Sequence, residues 1–253
     1  MKAIVKAALA ALRCEPNEHS ERVDEIFHGW QVNVLSHHQN FCHVSTFYGY
    51  EGYAHNNDLE FSPIDEYFGE IKIINSSFSD IVAAPDVRAD ILHTLPRGAV
   101  VATSGGAGEY AQILMPSGNY AFLRKDLTSR APGQISRQGL VDAAKTYLGA
   151  QYRWGGKSHS GIDCSGLTFM AYYLNGINIW RDAYFKEEYP LKKIPLDAAG
   201  AGDLIYFPSH VAMIACPGSI IHSAYGNNGV RIEAMAERKD LMEEMLYCTS
   251  IFT

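Results

Sequence analysis

The chain changes character near residues 128–136, and that break restricts the available folds more than any other feature. Before "TSRAPGQIS" the sequence reads as strands and turns with little helical periodicity. After it come two helix-length periodic stretches, then a run of short segments with a period of two. Pro132 and Gly133 mark the break as a linker. Upstream, "GWQVNVLSHH" and "NFCHVSTFYGYEGYAH" read as paired strands around a polar turn at Ser36–Asn40. The stretch from Gly69 to Leu127 repeats the rhythm: a strand, an acidic or Pro-containing turn, "RGAVV" where the first copy has "HG", another strand, and "SGNYAF" for "GYEGY". An internal duplication of about 60 residues predicts two small β-barrels side by side.

Downstream, Ser136 can cap a helix in which Leu140, Ala144, Tyr147 and Leu148 recur, with Gly149 as its stop. "DCSGLTFMAYYLNG" predicts a second helix with Leu167, Met170, Ala171 and Leu174 on one face and Gly176 past its end. "GDLIYF", "HVAMIAC", "IIHSAY" and "VRIEAM" predict four short strands, separated by Pro208–Ser209, Pro217–Gly218 and "GNNG". Helices followed by antiparallel strands make an α+β domain. The expected division is therefore 1–62, 63–130 and 131–253.

Composition narrows the function classes. A hydrophobic share of 47% and a charged share of 19% are those of a globular protein. The net charge of −7 supplies no electrostatic footprint for nucleic acid or for an anionic membrane surface, so neither partner is expected. The five cysteines are scattered and form no C-x-x-C pair, which favours reduced thiols over a disulfide framework. In "MKAIVKAALAALRC", Lys6 cuts the apolar run short of a signal-peptide core, and Arg13 stands where a lipid-attached cysteine would need a small residue. A first strand or short helix is expected there, and a cytoplasmic location. The sequence leaves oligomeric state open, with a monomer as the expectation.

The chemistry centres on Cys164. Asp163 precedes it, so the thiol falls in the first turn of a helix, where unpaired N–H groups and the positive dipole end favour a thiolate. His210 and His222 lie on successive strands joined by a tight turn, close to direct opposition and on one sheet face. Cys164, His210 and His222 thus satisfy the logic of a Cys–His–polar triad, with His222 orienting His210. Spacing alone leaves Cys164 open between a packed thiol and a nucleophile. "HHQNFCH" (37–43) gathers three histidines and a cysteine, but strand alternation points Cys42 and His43 to opposite faces, and no metal is expected.

Five ordered blocks carry a resemblance. "YRWGG" (152–156), "DCSGL" (163–167), "GDLIYF" (202–207), "HVAMI" (210–214) and "IIHSA" (220–224) resemble the NlpC family of bacterial cysteine peptidases, papain-like enzymes that cut peptidoglycan peptides. The resemblance covers most of 137–253. It implies Cys164 as nucleophile, His210 as general base and His222 as the orienting residue. It also implies that Tyr152 borders the nucleophile and that the Cys164 N–H helps hold the oxyanion. No cofactor is expected. Two bacterial SH3-like barrels ahead of such a domain resemble the γ-D-glutamyl-L-diamino acid endopeptidases, which remove L-Ala-γ-D-Glu from wall peptides. In that group a free N-terminal alanine is read by a glutamate, a tyrosine of a "GY-x-G" turn, and the residues flanking the nucleophile. Here these are Glu21, Tyr50, Asp163 and Ser165, with Glu18, Glu25 and Tyr53 as close neighbours.

The expected fold is α+β: a papain-like NlpC catalytic domain preceded by two small SH3-like β-barrels. The expected activity is hydrolysis of the γ-D-Glu–diamino acid bond (diaminopimelate or Lys) of murein peptides with a free L-Ala, in wall-peptide recycling. The rivals are a non-catalytic peptidoglycan-binding protein and an amidase or acyltransferase on the same fold. An intact Cys164, His210 and His222 speaks against the first, and cysteine-before-histidine order against the second.

Overall fold

The structure, a computed structural model, describes residues 1–61, 70–125, 127–128, 134–226 and 228–252. The chain divides into two compact units, Met1–Arg130 and Ala131–Thr253. The first unit is built on short strands: β1 (Lys2–Val5), β2 (Leu9–Arg13), β3 (Arg22–Phe27), β4 (Gln31–His38), β5 (Phe41–Thr46), β6 (Glu51–His55) and β7 (Leu59–Glu60). A second set follows: β8 (Glu70–Ile74), β9 (Phe78–Val82), β10 (Ile91–Pro96), β11 (Val100–Ala107), β12 (Tyr110–Leu114), β13 (Tyr120–Arg124) and β14 (Leu127–Thr128).

The two sets pair in the same order, β3-β2-β6-β5-β4-β1-β7 and β10-β9-β13-β12-β11-β8-β14. The sequence duplication is therefore a duplication of topology. Its step is longer than the expected sixty: Gly29 and Gly98, and again Gly49 and Gly118, all with positive φ, occupy equivalent turns 69 residues apart. Among the described residues each sheet runs open, with no pairing between β3 and β7 or between β10 and β14, so the expected barrels are described as sheets. The expected boundary at 62/63 lies outside the described residues.

The sheets meet at the turn after β3. Val100 N–H donates to the His28 carbonyl at 2.8 Å, and the Trp30 indole N–H donates to the Gly98 carbonyl at 2.9 Å. Gly29 has φ +75°, and a Cβ there would stand 2.0 Å from the Val100 carbonyl oxygen, so only glycine fits. Trp30 is itself buried beside Phe27, Phe47 and Tyr48, with ring centroids at 4.9, 5.1 and 5.9 Å. In the hairpin of β4 and β5, Cys42 is buried with its sulfur 3.2 Å from His37 Nδ1, whereas His43 turns to Glu51 at 3.2 Å. The two residues thus leave the strand on opposite sides.

In the second unit, α1 (Arg137–Lys145) begins at Ser136, whose hydroxyl accepts the Gly139 N–H. The helix ends four residues before Gly149, and Leu148 is exposed rather than in the core, because turns have replaced the helix there. A small hairpin of β15 (Lys157–Ser158) and β16 (Gly161–Ile162) leads into α2 (Cys164–Leu174). This helix is not amphipathic as the spacing predicts: every residue from Cys164 to Tyr173 is buried. A helix apolar all round belongs in the interior, and α2 packs against α1 and the sheet.

That sheet combines β17 (Lys192–Ile194), β18 (Leu204–Phe207), β19 (His210–Cys216), β20 (Ser219–Ala224), β21 (Gly229–Ala234) and β22 (Tyr247–Ser250), ordered β17-β22-β18-β19-β20-β21. The four predicted strands form its meander, and β17 and β22 extend it beyond β18. Ile205, Phe207, Ala212, Ile214, Ile220 and Cys248 form a core cluster covered by Met235, Met242 and Met245 around the short helix α3 (Lys239–Glu243). Among the described residues no helix is long and apolar enough to cross a membrane.

Candidate active site

Cys164 is the first residue of α2, and α2 packs on β19 and β20. The helix starts there because the Asp163 carboxylate accepts the Gly166 N–H at 2.6 Å, an N-cap. Burial pushes the Cys164 thiol up to about 12, and the Asp163 charge adds to this, against the backbone N–H groups of Val211 and Ser165 and the Arg181 cation. Desolvation thus opposes the helix-start argument for a thiolate. The bond to the Val211 N–H also sets the sulfur beside the residue that follows His210.

His210 opens β19 directly after the Pro208–Ser209 turn, in which Ser209 has φ +56°. β19 and β20 pair with Met213 opposite Ile221, and the same register places His222 diagonal to His210. His210 Nε2 lies 2.9 Å from His222 Nδ1, and His222 Nε2 lies 2.7 Å from Glu233 Oε2. Arg238 Nη1 donates to that same carboxylate oxygen at 2.5 Å. Burial first, then repulsion from any charge on His222 and from the Arg238 cation, lowers His210 to about 4, which favours the neutral imidazole. A protonated thiol and a neutral imidazole are the states a cysteine nucleophile and a general base hold before proton transfer.

Tyr152 forms an isolated bridge to Ile162 and meets the Tyr225 ring edge-on at 6.0 Å. Burial raises its hydroxyl to about 12, with smaller electrostatic contributions from Cys164 and Asp163. Asp163 and Ser165 have structural tasks. Arg181 grips both Asp163 oxygens at 3.0 Å, and its Nη1 also donates to Ser165 Oγ at 2.8 Å. The Gly155 N–H takes a further Asp163 position at 2.8 Å. A carboxylate offers about four lone-pair sites, so Asp163 is largely committed within the protein.

Glu21 and Tyr50 belong to the other unit. Glu21 is exposed between β2 and β3, and its carbonyl accepts the Cys14 N–H at 3.0 Å. Tyr50 is half-buried in the turn after β5, where its N–H donates to Thr46 Oγ1 at 3.0 Å. Of the neighbouring alternatives, Glu25 is buried and paired with Arg22 at 3.1 Å, and Tyr53 stacks on His43.

Sequence reasoning missed Arg181, Glu233 and Arg238. Glu233 was accessible: counting back from the "GNNG" turn sets Arg231 opposite His222 and Glu233 diagonal to it on the same face. Arg181, a lone cation in "NIWRDAY", carries no local sign of its partner eighteen residues earlier. Among the described residues no group of three or more His, Cys, Asp or Glu side chains is arranged to hold a metal ion.

Residues 149–246 match the NlpC/P60 family. Dipeptidyl-peptidase 6 of Lysinibacillus sphaericus is 33% identical over 98% of this chain and 97% of its own length. The γ-D-glutamyl-L-lysine dipeptidyl-peptidase of Bacillus subtilis is 32% identical over 60% of this chain and 52% of that protein. The crystal structure of an NlpC/P60 family protein from Bacillus cereus shares the fold, with a TM-score of 0.88 over 100% of both chains at 20% identity. The helix-borne cysteine, the histidine pair and this full-length similarity lead to one conclusion: the chain belongs to the NlpC/P60 family of cysteine peptidases.

Proposed function

We propose that the enzyme hydrolyses the γ-D-Glu–diamino acid bond of small wall peptides that carry a free N-terminal L-Ala, in the cytoplasm, as a step of murein-peptide recycling. The observation that carries a hydrolytic role is the 2.9 Å bond between His210 and His222 on strands packed against the helix that begins with Cys164. The names of the relatives, a dipeptidyl-peptidase and a γ-D-glutamyl-L-lysine dipeptidyl-peptidase, support the bond and the dipeptide product. In this reading His210 takes the thiol proton as Cys164 Sγ attacks the γ-carbonyl, and the Cys164 N–H bonds to the oxyanion. His210 then passes the proton to the departing amine of the diamino acid. Water, deprotonated by His210, cleaves the thioester and releases L-Ala-γ-D-Glu. Tyr152 helps position the scissile carbonyl. Glu21 and Tyr50 are the residues proposed to read the substrate ammonium. Asp163 and Ser165 shape the start of α2.

Product analysis on L-Ala-γ-D-Glu-meso-diaminopimelate tests the reading. Release of L-Ala-γ-D-Glu is expected from the native enzyme and not from Cys164→Ala. Cleavage surviving that substitution removes Cys164 from the mechanism. N-acetylation of the alanine is expected to abolish turnover, and equal rates on the blocked peptide would sink the amine-reading role of Glu21 and Tyr50.

A further inference from the structure

The hydrogen-bond chain does not stop at the second histidine. His222 Nε2 faces Glu233 Oε2 at 2.7 Å, and Arg238 Nη1 faces the same oxygen at 2.5 Å. Arg238 is held in turn by Asp240, 3.2 Å from its Nε. The charged groups around the histidine pair are therefore Arg231 and Glu233 on β21, and Arg238 with Asp240 beyond it.

Proton counting along this chain has one solution. Burial raises the Glu233 carboxyl, but hydrogen bonds from Arg238 and His222 outweigh it, so the group stands below its ordinary value and is an anion. An ionised carboxylate only accepts, so the ring proton of neutral His222 must sit on Nε2. Its Nδ1 is then an acceptor, and the contact at 2.9 Å requires the proton of neutral His210 on Nε2. That leaves His210 Nδ1 as a bare lone pair, the state a general base for Cys164 needs. The opposite tautomers would leave His210 Nδ1 already protonated and useless as a base.

We infer that Glu233 is a positioning residue of the catalytic apparatus, fixing the tautomers of both histidines through the acceptor oxygen it presents to His222. The inference rests on the reading of Cys164, His210 and His222 given above. Arg238 serves it by holding that oxygen in place. With that oxygen lost, the cations that bear on His222 are the guanidinium groups of Arg238 and Arg231, which only donate and favour a lone pair on Nε2.

The test compares two substitutions in the full chain. Glu233→Gln keeps an oxygen that can accept from both neighbours, whereas Glu233→Met removes it at similar size. Long-range proton–nitrogen spectra of histidine-labelled protein should show both rings protonated at Nε2 in the native enzyme and in Glu233→Gln. In Glu233→Met the His222 proton should move to Nδ1. Turnover of the wall tripeptide should fall about 100–10,000-fold in kcat for Glu233→Met with KM little changed, and far less for Glu233→Gln. Glu233→Ala makes the same deletion if the Met variant does not fold. An unchanged His222 tautomer and native kcat in the deletion variant would overturn the inference. So would a Gln variant as impaired as the Met one, since charge and not the acceptor would then matter. The ring tautomers are read without turnover, so they judge Glu233 even if the substrate assignment fails, and Cys164→Ala judges the catalytic reading by itself.

Discussion

Arg181 holds Asp163 through two parallel hydrogen bonds of 3.0 Å, and both side chains are buried. The pair ties the loop after α2 to the residue that caps α2, immediately before Cys164. A bidentate guanidinium–carboxylate contact fixes orientation as well as distance, so Cys164 inherits a defined position from a residue that does no chemistry.

Arg181→Met should therefore cost much more than a surface substitution. Removing one partner leaves the buried Asp163 charge without its cation, held only by the N–H groups of Gly155 and Gly166 and the Ser165 hydroxyl, a loss of up to about 3–5 kcal/mol in such pairs. Urea denaturation of the native and variant chains measures it. A loss below about 1 kcal/mol would show that the pair does not anchor the helix.

The pH profile follows from His210. Its pKa is lowered from 6.5 to about 4 by burial first, then by His222 and Arg238. A general base works in its neutral form, so activity is retained as pH falls through 6.5 and is lost only as it approaches 4. The acid limb of kcat/KM should lie well below 6.5, and Arg238→Gln, which removes a neighbouring positive charge, should move it upward. An acid limb at or above 6.5 in the native enzyme would contradict the neutral resting imidazole.

His28 predicts a stability change in a similar window. It is buried, its Nδ1 bonds to the Lys6 carbonyl at 3.0 Å, and burial above all lowers its pKa from 6.5 to about 4. The unfolded chain takes up this proton first as pH falls. The contribution is thus fully present above 6.5 and disappears as pH drops towards 4, by on the order of 3 kcal/mol. Thermal melts between pH 7 and pH 4 should show a shallower fall for His28→Asn than for the native chain. Parallel curves would assign the acid sensitivity to other groups.

Gly29→Ala should disrupt the first unit, whereas Gly118→Ala should be mild. Both glycines have positive φ, at +75° and +84°, which costs an alanine about 1–2 kcal/mol. A Cβ at Gly29 would also lie 2.0 Å from the Val100 carbonyl oxygen, but nothing lies within 4 Å of one at Gly118. Denaturation midpoints of the two variants should differ clearly. Equal midpoints would mean that the sheets can part at this turn without penalty.

Much was legible along the chain because it depends on neighbours in sequence. Turn residues and a period of two specified β18 to β21, Asp163 and Ser136 specified where helices begin, and repeated turns specified a duplicated strand order. The family resemblance lay in five ordered blocks, each short enough to read locally. What tertiary structure decided was environment. The spacing of α2 suggests one apolar face, yet the helix is buried all round because helix and sheet enclose it. A thiol at a helix start suggests a thiolate, yet burial pushes its pKa the other way. Asp163 turns to Arg181, and His222 to Glu233, because folding brings together groups that sequence order keeps apart. Local propensity and pattern act over a few residues, whereas desolvation and partner choice belong to the packed fold.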